Sequence, residues 1–101
     1  MTERAFTDLV LSLARVFGWR RIHLRPARTR DGWRTAVQGD GVGFPDLLLL
    51  RDDKMIVAEL KAEKGHVTPE QLAWLGAFEA TGVPAYLWRP SHWKDIEEVL
   101  R

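Results

Sequence analysis

The sequence predicts a small mixed α/β (α+β) domain in which helices flank a sheet of few strands. Three observations predict it. Apolar residues recur at helical spacing near both termini and after residue 68, shorter apolar runs lie between these segments, and turn-forming residues separate them. A length of 101 residues is enough for one hydrophobic core. We therefore expect residues 1–101 to be a single domain with the element order α-β-β-β-α-β-α.

The first helix is predicted over residues 2–17. Thr2 is a suitable N-cap, and Gly18 interrupts the helical period. The apolar positions follow three- and four-residue spacing and include Phe6, Leu9, Val10 and Leu13. One face of this helix should therefore pack against the sheet.

A strand and a long connection are predicted next. In residues 20–25, Ile22 and Leu24 alternate with polar side chains, which indicates a strand with one buried face. Residues 26–45 are rich in Gly, Arg and Thr and show no stable period. We expect a long loop there, or a loop that contains a short strand around 33–37.

The centre of the sequence is predicted to be a hairpin, with strands at 46–51 and 55–61 joined by a turn at 52–54. The leucine run is short and ends in turn-forming residues, which favours a strand over a helix. Because apolar side chains fall on both faces, we expect a central strand that is covered on both sides.

The second helix is predicted to begin with a capping box formed by Thr68 and Gln71 and to end at Gly82. Its apolar side chains are Leu72, Trp74, Leu75 and Phe78. A strand at 83–88 should follow, and Ser91 is the expected cap of a last helix. The apolar residues of that helix are Trp93, Ile96, Val99 and Leu100.

Composition excludes several kinds of site. The chain has no cysteine, which rules out disulfides, thiolate metal sites and a cysteine nucleophile. Its histidines lack a paired spacing, so a zinc site is not expected. The longest apolar run, Leu47 to Leu50, is far too short to cross a membrane, and the N-terminus lacks a secretory pattern. We expect a cytoplasmic protein without a membrane partner.

The charges are distributed unevenly along the chain. Residues 1–45 have a balance of +4 and residues 46–101 a balance of −3. One short segment contains six arginines: Arg20, Arg21, Arg25, Arg28, Arg30 and Arg34. Such a patch suits contacts with a phosphate polymer, although a solvated basic loop would have the same composition. We take these six arginines as the candidate residues for phosphate contacts.

Two acids and a base interrupt the apolar hairpin. Asp46 begins the first strand, and Glu59 and Lys61 share a face of the second because they are two residues apart. A two-residue turn would place Asp46 directly opposite Glu59. A three-residue turn would send Asp46 to the opposite face. An active site therefore requires the two-residue turn.

Two carboxylates at that distance repel each other unless a cation lies between them. An all-oxygen site suits Mg²⁺ or Mn²⁺, and Lys61 could hold a phosphate oxygen, orient a water or stabilise developing charge. The alternative is structural: Asp46 would simply start a strand, and Glu59 and Lys61 would form an exposed ion pair on an edge strand.

The motifs that support a family assignment are Gly43-Phe44-Pro45-Asp46-Leu47, Glu59-Leu60-Lys61, Gln71 with Trp74, Gly18-Trp19, His23, the early Glu3, and Leu87-Trp88-Arg89-Pro90. With these the sequence resembles the virus-type replication-repair nuclease (VRR-NUC) domain of the PD-(D/E)xK superfamily. The resemblance spans nearly the whole chain. It implies a restriction-endonuclease-like fold with a four-stranded mixed sheet flanked by helices.

The resemblance also implies a function: a Mg²⁺- or Mn²⁺-dependent DNA endonuclease of phage or bacteria. Asp46, Glu59 and the backbone carbonyl of Leu60 would be metal ligands, and Lys61 would be the catalytic lysine. Domains of this kind act on branched DNA such as four-way junctions, often as homodimers. A symmetric cut needs two active sites, so we expect a homodimer. Candidate contact residues are Trp19, Trp88 and Trp93.

Three further residues have two interpretations each. Glu3 is a further candidate metal ligand or a first-turn residue that interacts with the helix dipole. Gln71 is a candidate active-site residue or only the capping glutamine. His23 is a candidate contact to DNA or to the site, or a surface histidine. The alternative functions for the whole chain are a catalytically idle DNA-binding module and a nicking or restriction-type nuclease with the same site.

Overall fold

The computed structural model describes residues 1–24, 27–29, 32–34 and 39–101, with the main chain alone at 27–29 and 32–34. The elements in chain order are α1 (Glu3–Val16), β1 (Arg20–His23), β2 (Ala27–Thr29), β3 (Gly32–Arg34), β4 (Leu47–Arg51), β5 (Lys54–Leu60), α2 (Pro69–Ala80), β6 (Ala85–Trp88), a short 3₁₀ helix (Pro90–His92) and α3 (Trp93–Leu100).

Four strands form the central sheet in the order β1-β4-β5-β6. β1, β4 and β5 are antiparallel neighbours, and β6 runs parallel to β5 after the α2 crossover. The predicted fold class is confirmed: a mixed sheet is flanked by helices, and its elements follow the order α-β-β-β-α-β-α. β4 and β5 occupy the centre, as the apolar hairpin predicted.

A small second sheet interrupts the expected long loop. β2 and β3 pair as an antiparallel hairpin, in which Ala27 lies opposite Arg34. The prediction of a loop through residues 26–45 is therefore wrong at these two strands. The alternative of a short strand around 33–37 is right only at its start, because β3 ends at Arg34 and residues 35–38 lie outside the described part. Strands of three residues are too short for an alternating pattern to become visible.

Helix α1 begins and ends where the sequence predicts. The Thr2 hydroxyl accepts a hydrogen bond from the Ala5 amide at 3.0 Å, and Gly18 follows the helix with a φ of 81°. Phe6 and Val10 are fully buried. Leu9, by contrast, is largely exposed, so the buried stripe is narrower than the apolar pattern. α1 therefore covers one face of the sheet with a few large side chains.

The main core lies between that face of the sheet and helices α1 and α3. Its buried members are Phe6, Val10, Ala14, Trp19, Leu47, Leu49, Ile56, Ala58, Leu60, Trp88, Ile96 and Leu100. Trp19 and Trp88 belong to this core, and only Trp93 of the three suggested dimer contacts is partly accessible. The suggestion that Trp19 and Trp88 form a contact surface is therefore wrong, because both are used inside the chain.

The opposite face of the sheet is covered unevenly. α2 packs on β5 and β6, where Leu75 is buried. Ile22 on the edge strand β1 is 53% exposed, so the predicted burial of its face is wrong. Leu72 is also 53% exposed, and its assignment to the packed side of α2 is wrong as well. Alternation shows that a strand has two faces, but not whether another element covers each face.

The last helix starts differently from the prediction. Ser91 lies in the 3₁₀ helix and does not cap α3. Its amide and hydroxyl instead donate to the two carboxylate oxygens of Glu63, at 2.8 and 2.7 Å. These bonds lower the pKa of Glu63. The Ser91 hydroxyl is thus bound to a carboxylate distant in sequence, and α3 begins after His92 without a side-chain cap. No helix in the described parts of the chain combines the length and apolar character needed to cross a membrane.

Candidate active site

The site depends on the register of the β4–β5 hairpin. Arg51 pairs with Lys54 across a two-residue turn, in which Asp52 adopts a φ of 55°. The last paired residues at the other end are Leu47 and Ala58. The next positions along the two strands are Asp46 and Glu59, which therefore lie opposite each other. The predicted turn length and register are confirmed.

Asp46 is held by the main chain of both neighbouring strands. Its side-chain Oδ2 accepts a hydrogen bond from the Leu60 amide at 2.9 Å. Its carbonyl oxygen accepts from the Leu24 amide at 2.9 Å. Pro45, which precedes it, is fully buried. One carboxylate oxygen of Asp46 thus has a fixed donor, and the residue cannot rotate freely at the strand end.

Glu59 is the most buried charged side chain in the described structure, with 3% of its side chain exposed. Its Oε2 accepts a hydrogen bond from Gln71 Nε2 at 3.3 Å and lies 4.0 Å from Lys61 Nζ. Its Oε1 is buried and receives no hydrogen bond from the described residues. A buried carboxylate oxygen without a donor is costly and uncommon in native proteins. The chain alone therefore does not satisfy this carboxylate.

The surroundings of Glu59 disfavour its charged form. Burial is the main cause, followed by the nearby Asp46 carboxyl group, which would accept a hydrogen bond only from a protonated Glu59, and by the negative charge of Asp46. Together they raise the pKa of Glu59 to about 9, although Lys61 acts in the opposite direction. One lysine is thus too little positive charge for this pair of acids.

A divalent cation fits this environment. The unsatisfied oxygen of Glu59 and the Asp46 carboxylate opposite it are oxygen donors of the type that Mg²⁺ and Mn²⁺ prefer. A cation there would replace the missing donor and offset the repulsion between the two acids. The residues present therefore fit the ion that the resemblance implies.

Lys61 lies at the rim of this cluster. Its side chain is 13% exposed, and its ammonium group is within ion-pair distance of Glu59. The Lys61 amide donates to the Trp88 carbonyl at 3.0 Å, which extends the pairing with β6 by one residue. The lysine is therefore anchored at its main chain, with a largely buried side chain whose ammonium group faces Glu59.

Gln71 makes the contacts of both of its suggested roles, in the helix cap and beside Glu59. Its amide N–H donates to Thr68 Oγ1 at 3.2 Å, and its Oε1 accepts from the Thr68 amide at 3.0 Å. The predicted capping box is therefore confirmed. Its Nε2 meanwhile donates to Glu59. The two ends of one side-chain amide bind the helix cap and the site simultaneously.

Glu3 and His23 lie at the margin of the site. The Glu3 side chain is exposed in the first turn of α1, and its charge contributes a smaller share of the raised pKa of Glu59. Within the described residues no three acidic or histidine side chains are close enough to share a metal ion, so the structure does not bring Glu3 to the two carboxylates. His23 is half-buried and lies opposite Leu47 at the end of β1.

The candidate DNA-binding arginines are described only in part. Arg20 and Arg21 lie on the edge strand with exposed side chains, and Arg21 Nη1 donates to the Leu11 carbonyl at 3.3 Å. Arg25 and Arg30 lie outside the described residues. The other two are Arg28 and Arg34, whose main chains lie in β2 and β3 but whose side chains lie outside the described part.

Sequence reasoning missed the residues that brace the site. Arg89 Nη1 donates to the carbonyls of Ala62 and Glu63, at 2.7 and 3.0 Å, and so holds the segment after Lys61. Trp74 Nε1 donates to two carbonyls in the segment before Asp46. Both residues occur in the motifs quoted above, but neither spacing nor charge indicated these contacts. They join segments that are distant in the sequence.

The fold and the side chains together define a class: a small nuclease-like fold whose central hairpin ends in Asp46, Glu59 and Lys61. The family model of the VRR-NUC domain matches residues 13–91, and the chain belongs to the VRR-NUC family. This membership implies a nuclease-type function with DNA as the substrate. Neither a curated protein nor a solved structure matches the chain significantly.

Proposed function

We propose that this protein is a Mg²⁺- or Mn²⁺-dependent endodeoxyribonuclease that hydrolyses phosphodiester bonds in branched DNA and acts as a homodimer. The observation that supports the metal most strongly is Glu59 Oε1, which is buried and receives no hydrogen bond from the described residues. A second carboxylate, that of Asp46, lies opposite it. A purely structural ion pair would not leave such an oxygen without a partner.

In this proposal Asp46 and Glu59 would hold the ion, and the Leu60 carbonyl would be the third protein ligand, as the resemblance implies. When bound, the ion polarises the phosphodiester and lowers the pKa of a coordinated water. The Leu60 amide keeps the Asp46 carboxylate at the end of the strand. Gln71 keeps the Glu59 carboxylate turned toward α2 through its hydrogen bond. These two contacts hold the acids in place before DNA arrives.

Lys61 is the proposed catalytic lysine. Its ammonium group is within ion-pair distance of Glu59, and a phosphate oxygen bound beside the two acids would lie within its reach. There it would neutralise charge that develops on the scissile phosphate. Arg20 and Arg21, exposed on β1, are suited to contacts with phosphates away from the scissile bond. Such contacts position DNA without selecting its sequence.

Homodimerisation follows from the proposed substrate. A four-way junction has two-fold symmetry, and one copy of Asp46, Glu59 and Lys61 can cut only one strand at a time. A symmetric dimer would place two sites on the two arms. Of the tryptophans suggested for the interface, Trp93 remains a candidate because it is partly accessible.

Cleavage of a matched panel of DNA substrates tests this proposal. The purified protein would be incubated with linear duplex, flap, single-stranded and four-way-junction DNA of the same sequence, with Mg²⁺, Mn²⁺ or EDTA. We expect cutting of the branched substrates with either metal and none with EDTA. Binding without cutting would instead identify an idle binding module, and equal cutting of linear duplex would identify a nicking or restriction-type enzyme. Analytical ultracentrifugation with and without junction DNA would test the dimer.

A further inference from the structure

The segment at residues 40–44, which precedes Asp46, is held against α2 by the side chain of Trp74. Trp74 Nε1 lies 3.0 Å from the carbonyl oxygens of both Asp40 and Val42. The same segment is closed by a turn in which the Phe44 amide donates to the Gly41 carbonyl at 3.2 Å. One indole N–H therefore binds this turn at two points, only a few residues before Asp46.

Aromatic and backbone packing complete the attachment. The rings of Phe44 and Trp74 meet edge to face with centroids 5.0 Å apart, and Phe78 lies 5.8 Å from Phe44. Gly43 has a φ of +84°, and a Cβ there would lie 2.6 Å from the Glu70 carbonyl carbon. Only glycine allows this close approach to the first turn of α2.

Trp74 lies three residues after Gln71, so the two side chains share a face of α2. Gln71 donates to Glu59, and Trp74 holds the segment that leads to Asp46. The two acids belong to different strands, and the register alone does not fix the side chain of Asp46, which lies outside β4. α2 therefore contacts both halves of the site through side chains on one face.

We propose that Trp74 is a positioning residue that sets the distance between the Asp46 and Glu59 carboxylates, with Gly43 as its backbone counterpart. The proposal rests on the proposed metal-dependent function. In this role Trp74 acts through the main chain and needs no contact of its own with DNA or the ion. It acts by fixing the turn at residues 41–44, which in turn fixes Pro45 and Asp46.

Two variants test this role. Trp74→Phe keeps an aromatic ring and removes the N–H, and Gly43→Ala forces the turn away from α2. We expect each to weaken Mn²⁺ binding about tenfold or more without DNA, measured by calorimetry and by the free-Mn²⁺ electron paramagnetic resonance signal. In the metal-free protein we expect faster hydrogen exchange at the Leu60 amide, because its acceptor on Asp46 is displaced. A merely structural role would leave this amide unaffected once global stability is taken into account.

Two matched controls separate positioning from general destabilisation. Gly39→Ala introduces the same backbone strain at a φ of +94°, but nothing lies within 4 Å of its Cβ. Trp19→Phe makes the same chemical change in the main core and likewise removes an indole hydrogen bond to a main-chain carbonyl, that of Leu100. Both controls should bind Mn²⁺ within twofold of wild type. If the test variants bind equally well, or the controls weaken binding equally, Trp74 has no positioning role. If wild type itself binds no Mn²⁺, the proposed metal function fails, and the Leu60 amide still tests the geometry.

Discussion

The two ends of the β4–β5 hairpin differ in whether the chain supplies hydrogen-bond partners to their charged side chains. At the turn end, Arg51 donates hydrogen bonds to the main-chain oxygens of Phe17, Leu100 and Arg101, at 2.9 to 3.0 Å. Its guanidinium also lies 4.3 Å from the ring centroid of Trp19. At the open end, Glu59 keeps one buried oxygen without a donor. The chain thus supplies acceptors to the Arg51 guanidinium, whereas the described residues leave one oxygen of Glu59 without a donor.

This difference separates a charge whose partners the chain supplies from one whose partners it does not supply. Arg51 joins the C-terminal ends of α1 and α3, where main-chain carbonyls lack helical partners and attract a cation. The folded chain thus provides both the hydrogen-bond acceptors and the aromatic contact of Arg51. Glu59 and Asp46 were placed together by the same hairpin, yet folding leaves them short of positive charge. The open end is therefore where the proposed cation would bind.

The largest expected effect is on catalysis at the open end. Asp46→Asn and Lys61→Ala should each reduce DNA cleavage by at least about 10²–10³-fold, because each removes charge that the transition state requires. DNA binding, measured by fluorescence anisotropy, should remain close to wild type because the arginines are unchanged. Cleavage at the wild-type rate by either variant would contradict the assignment of the site.

Substitution at the turn end should affect stability and not cleavage. Arg51→Met should lower the free energy of unfolding by about 2–4 kcal/mol, since it leaves several main-chain oxygens without their charged donor. Lys54→Met, at the paired and exposed position across the turn, is the matched control and should change it by less than about 0.5 kcal/mol. Urea denaturation measures both. At temperatures where Arg51→Met is folded, its cleavage rate should equal that of wild type. A lower rate would contradict the assignment of Arg51 to stability alone.

The raised pKa of Glu59 predicts how stability depends on pH without metal. The folded state keeps its proton up to a pKa of about 9, whereas the unfolded state releases it near the ordinary value of 4.5. Stability is therefore highest at low pH for this group and falls as pH rises between those values, by up to about 1.4 kcal/mol per pH unit. Glu59→Gln should flatten this dependence. Denaturation at pH 6, 7 and 8 in EDTA measures it, and identical slopes in both proteins would count against the assigned environment.

The smallest effect is expected on the uncovered part of the sheet. Ile22→Thr on β1 should change the free energy of unfolding by about 0.5 kcal/mol or less, because the side chain is largely exposed. Leu49→Ala on the neighbouring strand β4 should cost about 2–5 kcal/mol, because it opens a cavity in the main core. Thermal denaturation of the two variants compares the sides of the sheet directly. Equal losses would mean that Ile22 is protected in solution.

Local signals allowed much of the fold and the site to be predicted. Thr2 and Thr68 cap their helices through neighbouring residues, so sequence spacing was sufficient. The short turn at Asp52 fixed the hairpin register, and the register placed Asp46 opposite Glu59. Each of these inferences needed only residues close in sequence or a count along paired strands.

The failures share a different cause. The exposure of Ile22 depends on which elements cover β1, and Ser91 binds a carboxylate 28 residues away and does not cap α3. Arg51 could not be recognised because its acceptors meet only after α1 and α3 have packed. Trp74 likewise binds carbonyls more than thirty residues earlier. Such contacts are products of tertiary packing and have no signature in local spacing.

The double use of Gln71 limits which residue can occupy that position. A helix start of this type accepts either glutamine or glutamate at its third residue, so helix stability alone would tolerate both. Beside Glu59, however, a glutamate would add another negative charge where two already repel each other. Of the two residues, only glutamine can cap the helix and also donate to Glu59 without adding negative charge. Selection for catalysis would therefore favour glutamine over glutamate at position 71, although either residue is typical of this kind of helix start.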